Sequence, residues 1–368
     1  MSVDTPVRDI EITYKNLHNR FKLNGIYYDL GELGQVACTY IKEGDAYQKA
    51  IGDFLLEWLD NSDVITVKTS GSTGTPKEIV LKKQNMVHSA LATGNFFGVE
   101  VGNKALLCLP ADYIAGKMML VRAIILGLEL DLVQPSASPL KATGKEYDFV
   151  AMTPMQVENS LDEIYRVKTL LAGGAPMSDK LKKALLQTGC NVFETYGMTE
   201  TITHIAAKRI QVGGVEDEDP CFRVMPGVTV SLDERGCLVI HAPEITDETI
   251  VTNDLAELVS ETAFKWLGRA DHVINSGGIK LIPEQVEAKL EKLLEGRFYI
   301  TGIPDDTLGE KLVLYVEKQT NTGWTPEGIR EKIDHLEGLD KYENPKEIFM
   351  VEKFRETSSG KVLRNNHL

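Results

Sequence analysis

The chain is organised around the stretch Val64-Ile-Thr-Val-Lys-Thr-Ser-Gly-Ser-Thr-Gly-Thr-Pro-Lys77. Its first four residues are all β-branched and predict a short strand. The loop that follows contains two glycines, five hydroxyl residues, one proline and a closing lysine. Glycines let backbone N–H groups turn toward an anion, hydroxyls donate to it, and the lysine adds positive charge. The composition predicts a phosphate-binding loop, with a flexible surface turn as the alternative.

The order of residues in this loop shows which known type of phosphate-binding loop it resembles. It is not a Walker loop, because Pro76 stands where the second glycine belongs and no Ser or Thr follows Lys77. It resembles instead the phosphate loop of the adenylate-forming enzymes, which include acyl-CoA synthetases, luciferases and peptide-synthetase adenylation domains. The resemblance implies that Lys77 is catalytic. It also implies ATP contacts from Thr69, Ser70, Gly71, Ser72, Thr73 and Gly74.

Composition and charge exclude several classes of protein. A chain of 368 residues has room for two or three domains. The formal net charge of −14 argues against a general nucleic-acid or anionic-membrane surface. The five cysteines form no CxxC pair, which indicates a reducing compartment and no structural zinc. The N-terminus does not resemble a signal peptide, and the most apolar run, residues 118–130, is too short to span a bilayer. We expect a soluble cytoplasmic protein.

Apolar periodicity predicts an α/β fold. Helical spacing and short buried runs alternate along the first two hundred residues, which favours a largely parallel sheet. The predicted helices are 47–59, 82–97 and 117–128, and the predicted strands are 105–109, 130–133, 149–152 and 169–171. From about residue 212, short alternating runs predict a β-rich part. From about residue 268, a helix opened by Pro283 and a strand near 311–316 predict a small α+β unit.

The predicted domains follow from these changes of pattern. A large N-terminal α/β domain with a mostly parallel sheet and a β-rich subdomain is expected over residues 1–268. A small, mobile α+β domain is expected over residues 269–368. The resemblance implies that the small domain turns about Asp271. The segment before the phosphate loop is shorter than is usual in these enzymes, so a trimmed first subdomain covered by a partner subunit, and hence a homodimer, stays an alternative to a monomer.

A second motif, Glu194-Thr-Tyr-Gly-Met-Thr-Glu-Thr201, favours nucleotide binding. Taken alone, it fits a strand end followed by a helix cap equally well. It resembles the Tyr-Gly-x-Thr-Glu element of the adenylate-forming enzymes. The resemblance implies that Tyr196 stacks on adenine, Thr199 donates to a phosphate and Glu200 holds the magnesium of MgATP, with Glu194 and Gly197 beside them. An aromatic face suits a purine, and a carboxylate together with a phosphate oxygen suits a hard cation.

Further motifs follow in the order that the family has them. Leu171-Ala-Gly-Gly-Ala-Pro176 reads as a strand-to-helix turn, and by resemblance Gly173, Gly174 and Ala175 lie along the adenine. Thr252-Asn-Asp254 and Gly268-Arg-Ala-Asp271 resemble the ribose and hinge elements, which makes Asp254 a ribose acceptor and Arg269 a ribose or phosphate ligand. Asn253 replaces the usual glycine, and asparagine also adopts left-handed backbone.

Two loops near the C-terminus complete the set. Ser276-Gly-Gly-Ile-Lys280 resembles the loop that lines the thiol tunnel, so Gly277, Gly278 and Lys280 are predicted to contact CoA. Thr357-Ser-Ser-Gly-Lys361 resembles the loop that carries the catalytic lysine of the family, here Lys361. Without the resemblance, the single lysine in either loop would be interpreted as a solvated surface charge.

The acid-binding residues follow from one more pattern. Leu109-Pro110, Gly116 and Arg122 resemble an element of the o-succinylbenzoate–CoA ligases of menaquinone synthesis, although Tyr113 stands where those enzymes commonly have histidine. Arg122 lies in an otherwise apolar helix, so it must snorkel or pair, because burial of a lone guanidinium is costly. The sharper hypothesis is a clamp on a second substrate carboxylate. Thr153 is assigned to the acid site as well.

The resemblance implies a two-step ligase. MgATP and an acid give an acyl-adenylate and pyrophosphate, and CoA then attacks to give the thioester and AMP. The expected small molecules are ATP, Mg²⁺, CoA and, as acid, o-succinylbenzoate. Three alternatives stay open: a CoA ligase for another aryl or acyl acid, an adenylation module that loads a carrier protein, and a non-catalytic nucleotide-binding relative. His88 and His204 are interpreted as structural.

Overall fold

The computed structural model describes residues 11–68, 77–318, 323–355 and 362–364. Its α-helices are α1 (Leu30–Glu43), α2 (Ala46–Leu59), α3 (Lys83–Phe97), α4 (Ile114–Leu126), α5 (Pro154–Glu158), α6 (Asp179–Leu185), α7 (Pro283–Leu290) and α8 (Pro326–Asp334). Its first strands are β1 (Lys22–Leu23), β2 (Ile26–Tyr27), β3 (Val64–Lys68), β4 (Glu78–Lys82), β5 (Lys104–Leu107), β6 (Glu129–Leu132), β7 (Tyr147–Met152), β8 (Val167–Ala172), β9 (Asn191–Gly197) and β10 (His204–Val212). The remaining strands are β11 (Val215–Glu216), β12 (Phe222–Val224), β13 (Thr229–Leu232), β14 (Cys237–His241), β15 (Ile250–Ser260), β16 (Ala263–Arg269), β17 (Ile274–Ser276), β18 (Ile279–Leu281), β19 (Phe298–Asp305), β20 (Gly309–Glu317) and β21 (Glu347–Val351).

One large sheet runs through the first two thirds of the described residues. Its order is β13-β14-β15-β16-β12-β10-β9-β8-β7-β5-β6-β1-β2, with β11 paired to β10. Strands β6, β5, β7, β8 and β9 pair in parallel. From β9 through β10 to β13 the pairing is antiparallel. The predicted α/β fold is confirmed. The β-rich part, however, begins at β10, before residue 212, and continues the same sheet.

The strand that precedes the phosphate loop lies outside this sheet. β3 pairs only with β4, antiparallel, with Lys68 opposite Glu78. The sequence analysis predicts no strand at β4, although Ile79 and Val80 are β-branched. The phosphate loop therefore connects the two strands of a hairpin.

Helix α4 is buried on every side. Its residues 118–125 are all buried, and the helix packs against α3 and against strands β5 and β6. A helix that is apolar on nearly all sides belongs in a protein core. It ends at Gly127, whose φ of 72° is the left-handed conformation that glycine adopts without strain. The consequence for the site is that Arg122, in the middle of this helix, lies deep inside the protein.

A second, smaller sheet begins after the large one ends. Strand β16 ends at Arg269, and β17 begins at Ile274. The small sheet has the order β18-β17-β20-β19, with β21 parallel to β20. Helix α7 packs on β19 and α8 on β21. Thr325 caps α8 by accepting from the backbone N–H of Gly328, as its Thr-Pro start predicts.

Candidate active site

The sheet topology brings the separate motifs to one edge. Strands β5, β7, β8 and β9 are neighbours and run parallel, so their carboxyl ends share an edge. The order changes direction at β5, which lies between β6 and β7, and such a switch point is where open α/β sheets bind ligands. The residues that follow these carboxyl ends include Tyr113, Thr153, Gly173 and Thr199. These predicted site residues therefore lie along one edge of the sheet, with Tyr113 and Thr153 on either side of the switch point.

Two predicted elements lie outside the described residues. They are residues 69–76 of the phosphate loop, which contain Thr69, Ser70, Gly71, Ser72, Thr73 and Gly74, and residues 356–361, which contain Lys361. Lys77 is described and is exposed directly before β4.

The glycine segment after β8 is fixed by close approach to β9. A Cβ on Gly173 would lie 2.4 Å from the Thr195 hydroxyl, and Gly174 has a φ of +90°. Ala175 is exposed beside them. Glu194, predicted to contact the nucleotide, is instead buried beneath this turn. One of its carboxylate oxygens accepts from the backbone N–H of Met177 at 3.0 Å, and the other lies 2.6 Å from the Lys208 ammonium. Glu194 thus supports the segment on which adenine is predicted to lie.

Tyr196 and Asp254, predicted to bind adenine and ribose, contact each other. The Tyr196 hydroxyl donates to Asp254 Oδ2 at 2.6 Å, and the Trp266 indole N–H approaches Oδ1 at 3.4 Å. Burial, and then the Asp254 charge, raises the pKa of Tyr196, so its hydroxyl stays protonated. A carboxylate has about four lone-pair directions, so Asp254 keeps acceptor capacity for a ribose hydroxyl.

Arg269 links the ribose element to the predicted hinge. Its Nε and one terminal nitrogen donate to the two carboxylate oxygens of Asp271, each at 2.9 Å, and its other terminal nitrogen lies 3.5 Å from Asp254. The hydrogen bond from Arg269 lowers the pKa of Asp271. Asn253 lies within β15 and has no positive φ, so it does not use the left-handed backbone that asparagine tolerates.

The predicted magnesium ligand stands at the end of β9. Thr199 and Glu200 form a short 3-10 turn directly after the strand. The Glu200 side chain is exposed and makes no hydrogen bond or ion pair with the other described residues. The described residues contain no group of three or more metal-ligating side chains. An exposed carboxylate suits Mg²⁺ that arrives with ATP, because this ion takes one or two protein carboxylates and fills its other positions with phosphate oxygens and water.

Arg122 neither snorkels nor pairs with an acid within the described ranges. It is only 2% exposed. Its Nε approaches the Thr93 hydroxyl at 3.4 Å, one terminal nitrogen donates to the Thr203 hydroxyl at 3.2 Å, and the other contacts the Met119 sulfur at 3.6 Å. Burial lowers its pKa to about 9. Burial of a cation that contacts only two hydroxyls and a thioether is costly. The described residues therefore do not show the alternative in which Arg122 is a structural arginine paired with an acid.

Helix α4 begins close to the turn that precedes it. Tyr113, which stands where the resembling enzymes have histidine, is the N-cap residue and is partly exposed. A Cβ on Gly116 would lie 2.2 Å from the Pro110 carbonyl oxygen. Tyr113 makes no side-chain capping bond, whereas Thr153 caps α5 by accepting from the backbone N–H of Gln156. The glycine at position 116 therefore permits the close approach that places Tyr113 and Arg122.

Replacement of Gly116 by alanine should lower stability by about 1–3 kcal/mol, because backbone atoms of Pro110 must move to admit the methyl group. Gly34 offers a matched control in helix α1, since a Cβ there would meet nothing within 4 Å. Gly34→Ala should raise stability by about 0.4–1 kcal/mol. Urea denaturation of both variants measures the effects. Equal shifts in the same direction would contradict the proposed crowding at Gly116.

The predicted CoA loop is a two-residue hairpin turn between β17 and β18. Gly277 and Gly278 have φ of +59° and +82°, the signs that a type I′ turn requires. The Gly277 backbone N–H donates to the Leu308 carbonyl at 2.8 Å, and Lys280 is exposed on β18. The two glycines therefore form the turn of this hairpin. The contact of this turn with CoA stays a prediction.

Sequence reasoning assigned no site role to four residues near the site, and it interpreted one of them, His204, as structural. Trp266 touches Asp254, while Thr93, Thr203 and His204 surround Arg122. Thr203 and His204 come directly after the Thr-Glu motif, and this nearness could have indicated that they lie near the site. They belong to no motif of their own. Thr93 and Trp266 enter the site through tertiary packing alone.

Comparison with known proteins identifies the family. The model of the family described as AMP-binding enzyme matches residues 16–243, more than half of the chain. The chain belongs to the AMP-binding enzyme family. The predictions of an adenylate-forming relative and of an enzyme are confirmed.

Individual relatives agree with this assignment. The chain is 28% identical over 335 residues to a 2-succinylbenzoate–CoA ligase of Bacillus cytotoxicus, covering 81% of this chain and 68% of the relative. It is 35% identical to an acyl-CoA synthetase (AMP-forming)/AMP-acid ligase II-like protein of Dyadobacter fermentans, whose crystal structure matches with a TM-score of 0.60 and coverage of 89% and 95%. The structure of o-succinylbenzoate CoA synthetase from Bacillus subtilis, in complex with ATP and magnesium ion, has the same fold at 20% identity, with a TM-score of 0.70 and coverage of 85% and 74%. Within the described ranges, no helix is long and apolar enough to cross a bilayer.

Proposed function

We propose that the protein is an ATP-dependent, AMP-forming acid–CoA ligase whose acid is 2-succinylbenzoate. The observation that carries the choice of acid is the buried guanidinium of Arg122, which lacks a carboxylate partner among the described residues. An aryl acid with two carboxylates leaves one for recognition when the other is activated. The names of the curated relatives support the same acid.

The proposed reaction needs no protein nucleophile. The acid itself attacks the α-phosphate of ATP, and CoA then displaces AMP from the acyl-adenylate. The protein contributes positions and charges: Lys77 and the phosphate loop hold ATP, and Lys361 neutralises charge near the α-phosphate. Mg²⁺, held by Glu200 and the phosphates, would neutralise further phosphate charge. Between the two steps the small domain turns about Asp271.

Arg122 suits the second carboxylate for a geometric reason. A guanidinium carries five N–H donors, and only three are engaged by described residues: Nε–H and one on each terminal nitrogen. One N–H on each terminal nitrogen is left. A guanidinium can offer one N–H from each terminal nitrogen to a carboxylate as a bidentate pair, so Arg122 has the donors that such a contact needs. We expect the protein to be cytoplasmic, with a homodimer as the alternative to a monomer.

The test is acid-dependent exchange of pyrophosphate into ATP. The panel contains 2-succinylbenzoate, its two monocarboxylate analogues, each lacking one carboxylate, and several aryl and acyl acids. CoA or a carrier protein is then supplied as acceptor. The proposal expects exchange and thioester formation to be most efficient with 2-succinylbenzoate and CoA. Preference for another acid, or for the carrier protein, would replace it by one of the two rival ligases, and absence of exchange with every acid would favour a non-catalytic relative.

Glu200→Gln should shift the magnesium dependence of pyrophosphate exchange to higher concentration, because the amide keeps the shape and loses the charge that attracts the cation. Glu216→Gln, an exposed glutamate on β11, is the matched control and should leave the titration unchanged. An unaltered magnesium titration in the Glu200 variant removes this carboxylate from the metal site.

A further inference from the structure

A row of three side chains crosses the sheet beneath the predicted adenine site. Glu194 on β9 stands directly opposite Lys208 on β10, and Phe222 lies on β12, which pairs with the other edge of β10. Side chains that face each other across neighbouring strands interact directly. The Lys208 ammonium lies 2.6 Å from one carboxylate oxygen of Glu194 and 4.8 Å from the centroid of the Phe222 ring. Lys208 therefore joins the other two members of the row.

The ion pair between Lys208 and Glu194 is shielded from water. The two side chains are 19% and 7% exposed. The angles of the contact fall outside those of a hydrogen bond, so among the described residues this carboxylate oxygen is held by the opposite charge alone. A buried ion pair adds little net stability, but loss of one partner leaves a charge that nothing compensates. Each of the two charges therefore needs the other to stay in place.

On one side the ion pair reaches the glycine turn that follows β8. The other carboxylate oxygen of Glu194 accepts from the backbone N–H of Met177 at 3.0 Å, two residues after the segment 173–175. At the start of that segment, the backbone N–H of Gly173 donates to the Met152 carbonyl at 3.1 Å. These two hydrogen bonds tie both ends of the turn to the sheet. The second of the two ends is held through Glu194.

On the other side the ion pair reaches the support of Tyr196. The Phe222 ring lies 6.0 Å from the Tyr196 ring and stacks on Phe264 at 5.6 Å, and Phe264 meets Tyr196 edge-on at 5.3 Å. Two buried phenylalanines therefore hold the tyrosine ring, while its hydroxyl is held by Asp254. The Lys208 ammonium lies over the first of these phenylalanines. It contacts both the residue that holds the glycine turn and a residue that holds Tyr196.

We propose that Lys208 is a positioning residue for the base of ATP: paired with Glu194, it sets the spacing between the segment 173–175 and the Tyr196 ring, between which adenine is predicted to lie. The effect passes through Glu194 on one side and through Phe222 on the other. The assignment rests on the proposed function, because it concerns the nucleotide site of that reaction. The ligand class is a flat nucleobase joined to a phosphate chain, and only binding of the base depends on Lys208.

Substitutions that remove each charge alone and both charges together test this role. Lys208→Met keeps the aliphatic stem on Phe222 and leaves Glu194 unpaired. In Glu194→Gln the amide oxygen can accept from only one of Met177 and Lys208, and the amide donor then opposes the other. In the double variant the amide oxygen accepts from Met177 with no ammonium opposite the amide donor. The readouts are Kd for AMP and Kd for inorganic tripolyphosphate, which lacks the base, both measured by calorimetry.

We expect Kd for AMP to rise about three- to tenfold in each single variant, the range for loss of one hydrogen bond. Kd for tripolyphosphate should stay at the wild-type value, because this ligand has no base. The double variant should bind AMP more tightly than either single variant, since the two substitutions are coupled through one contact. Lys265→Met is the matched control, because Lys265 forms the same kind of cross-strand pair with Glu257 at an exposed site. It should leave both values unchanged.

Equal rises in Kd for AMP and for tripolyphosphate would show that the ion pair serves only the stability of the fold. The proposal is also overturned if the double variant binds AMP no more tightly than the single variants. Where Lys208→Met does not fold, Glu194→Gln and the double variant give the answer. If the wild type binds no AMP and exchanges no pyrophosphate, the proposed function fails. If the wild type is active and the single variants keep its Kd for AMP, only this inference fails.

Discussion

Lys361→Ala is expected to slow acyl-adenylate formation by about 10²–10³-fold, the effect of removing one preorganised donor at a developing charge. It should spare the attack of CoA on a chemically supplied acyl-adenylate. The reason is that the loop 356–361 belongs to the predicted mobile domain, which would turn about Asp271 after the first step and carry the lysine away. Lys77 directly precedes β4, within the predicted large domain, so its loss should weaken ATP handling without involving rotation.

Single-turnover kinetics of the two half-reactions measure this difference. Lys353→Ala is the matched control, since Lys353 is an exposed lysine of the same C-terminal stretch and precedes the loop. It should leave both half-reactions unchanged. Equal losses in both halves of the Lys361 variant would contradict the rotating domain, and no loss in either would mean that the C-terminal loop is a solvated tail.

Arg122→Met is expected to raise KM for 2-succinylbenzoate about ten- to a hundredfold, because a charge-assisted hydrogen-bonded pair contributes roughly 1.5–3 kcal/mol. KM for ATP should change little. Arg122→Lys should fall between the two, since it keeps the charge and loses the planar fork. If the folded methionine variant discriminates between the dicarboxylate and its monocarboxylate analogue as the wild type does, Arg122 is not the clamp.

The same substitution should stabilise the protein. Replacement of buried charged groups by apolar side chains of similar volume often increases stability by about 1–4 kcal/mol, and Arg122 lacks a carboxylate partner among the described residues. The pH dependence has a definite sign. Burial lowers the folded-state pKa of Arg122 to about 9, so above this pH the unfolded chain binds more protons and the wild type recovers stability. The advantage of the methionine variant should be full below pH 9 and shrink above it. If the methionine variant is not more stable than the wild type at neutral pH, Arg122 is not a costly charge.

The fold was predictable where the residue pattern is local. Apolar periodicity predicts helix α4 and strands β5 to β8. The pair Thr325-Pro326 predicts the start of helix α8. Strand β10 was missed because Lys208, Arg209 and Gln211 interrupt its apolar pattern. Its antiparallel pairing with β9 stabilises the strand although the local pattern does not indicate it. The β3–β4 pairing was missed for a related reason: it joins residues across the phosphate loop, which no local pattern reveals.

The candidate site was predictable only where motifs are contiguous. Tyr196, Thr199 and Glu200 share one short stretch, and the topology does bring that stretch beside the Gly173 turn. The contacts of Arg122 come from three elements that are distant in sequence: Thr93 on α3, Met119 on α4 and Thr203 before β10. The positive φ of Ile202, 64°, could not be inferred either, because its residue type disfavours such a torsion.

The central claim is that this protein joins 2-succinylbenzoate to CoA through an acyl-adenylate. The most direct measurement is a product analysis by mass spectrometry after incubation of the full chain with 2-succinylbenzoate, ATP, Mg²⁺ and CoA. The account predicts the CoA thioester of the acid, AMP and pyrophosphate in equal amounts, with the acyl-adenylate accumulating when CoA is left out. Release of ADP and phosphate, or turnover of ATP without any acyl-adenylate or thioester, would contradict it.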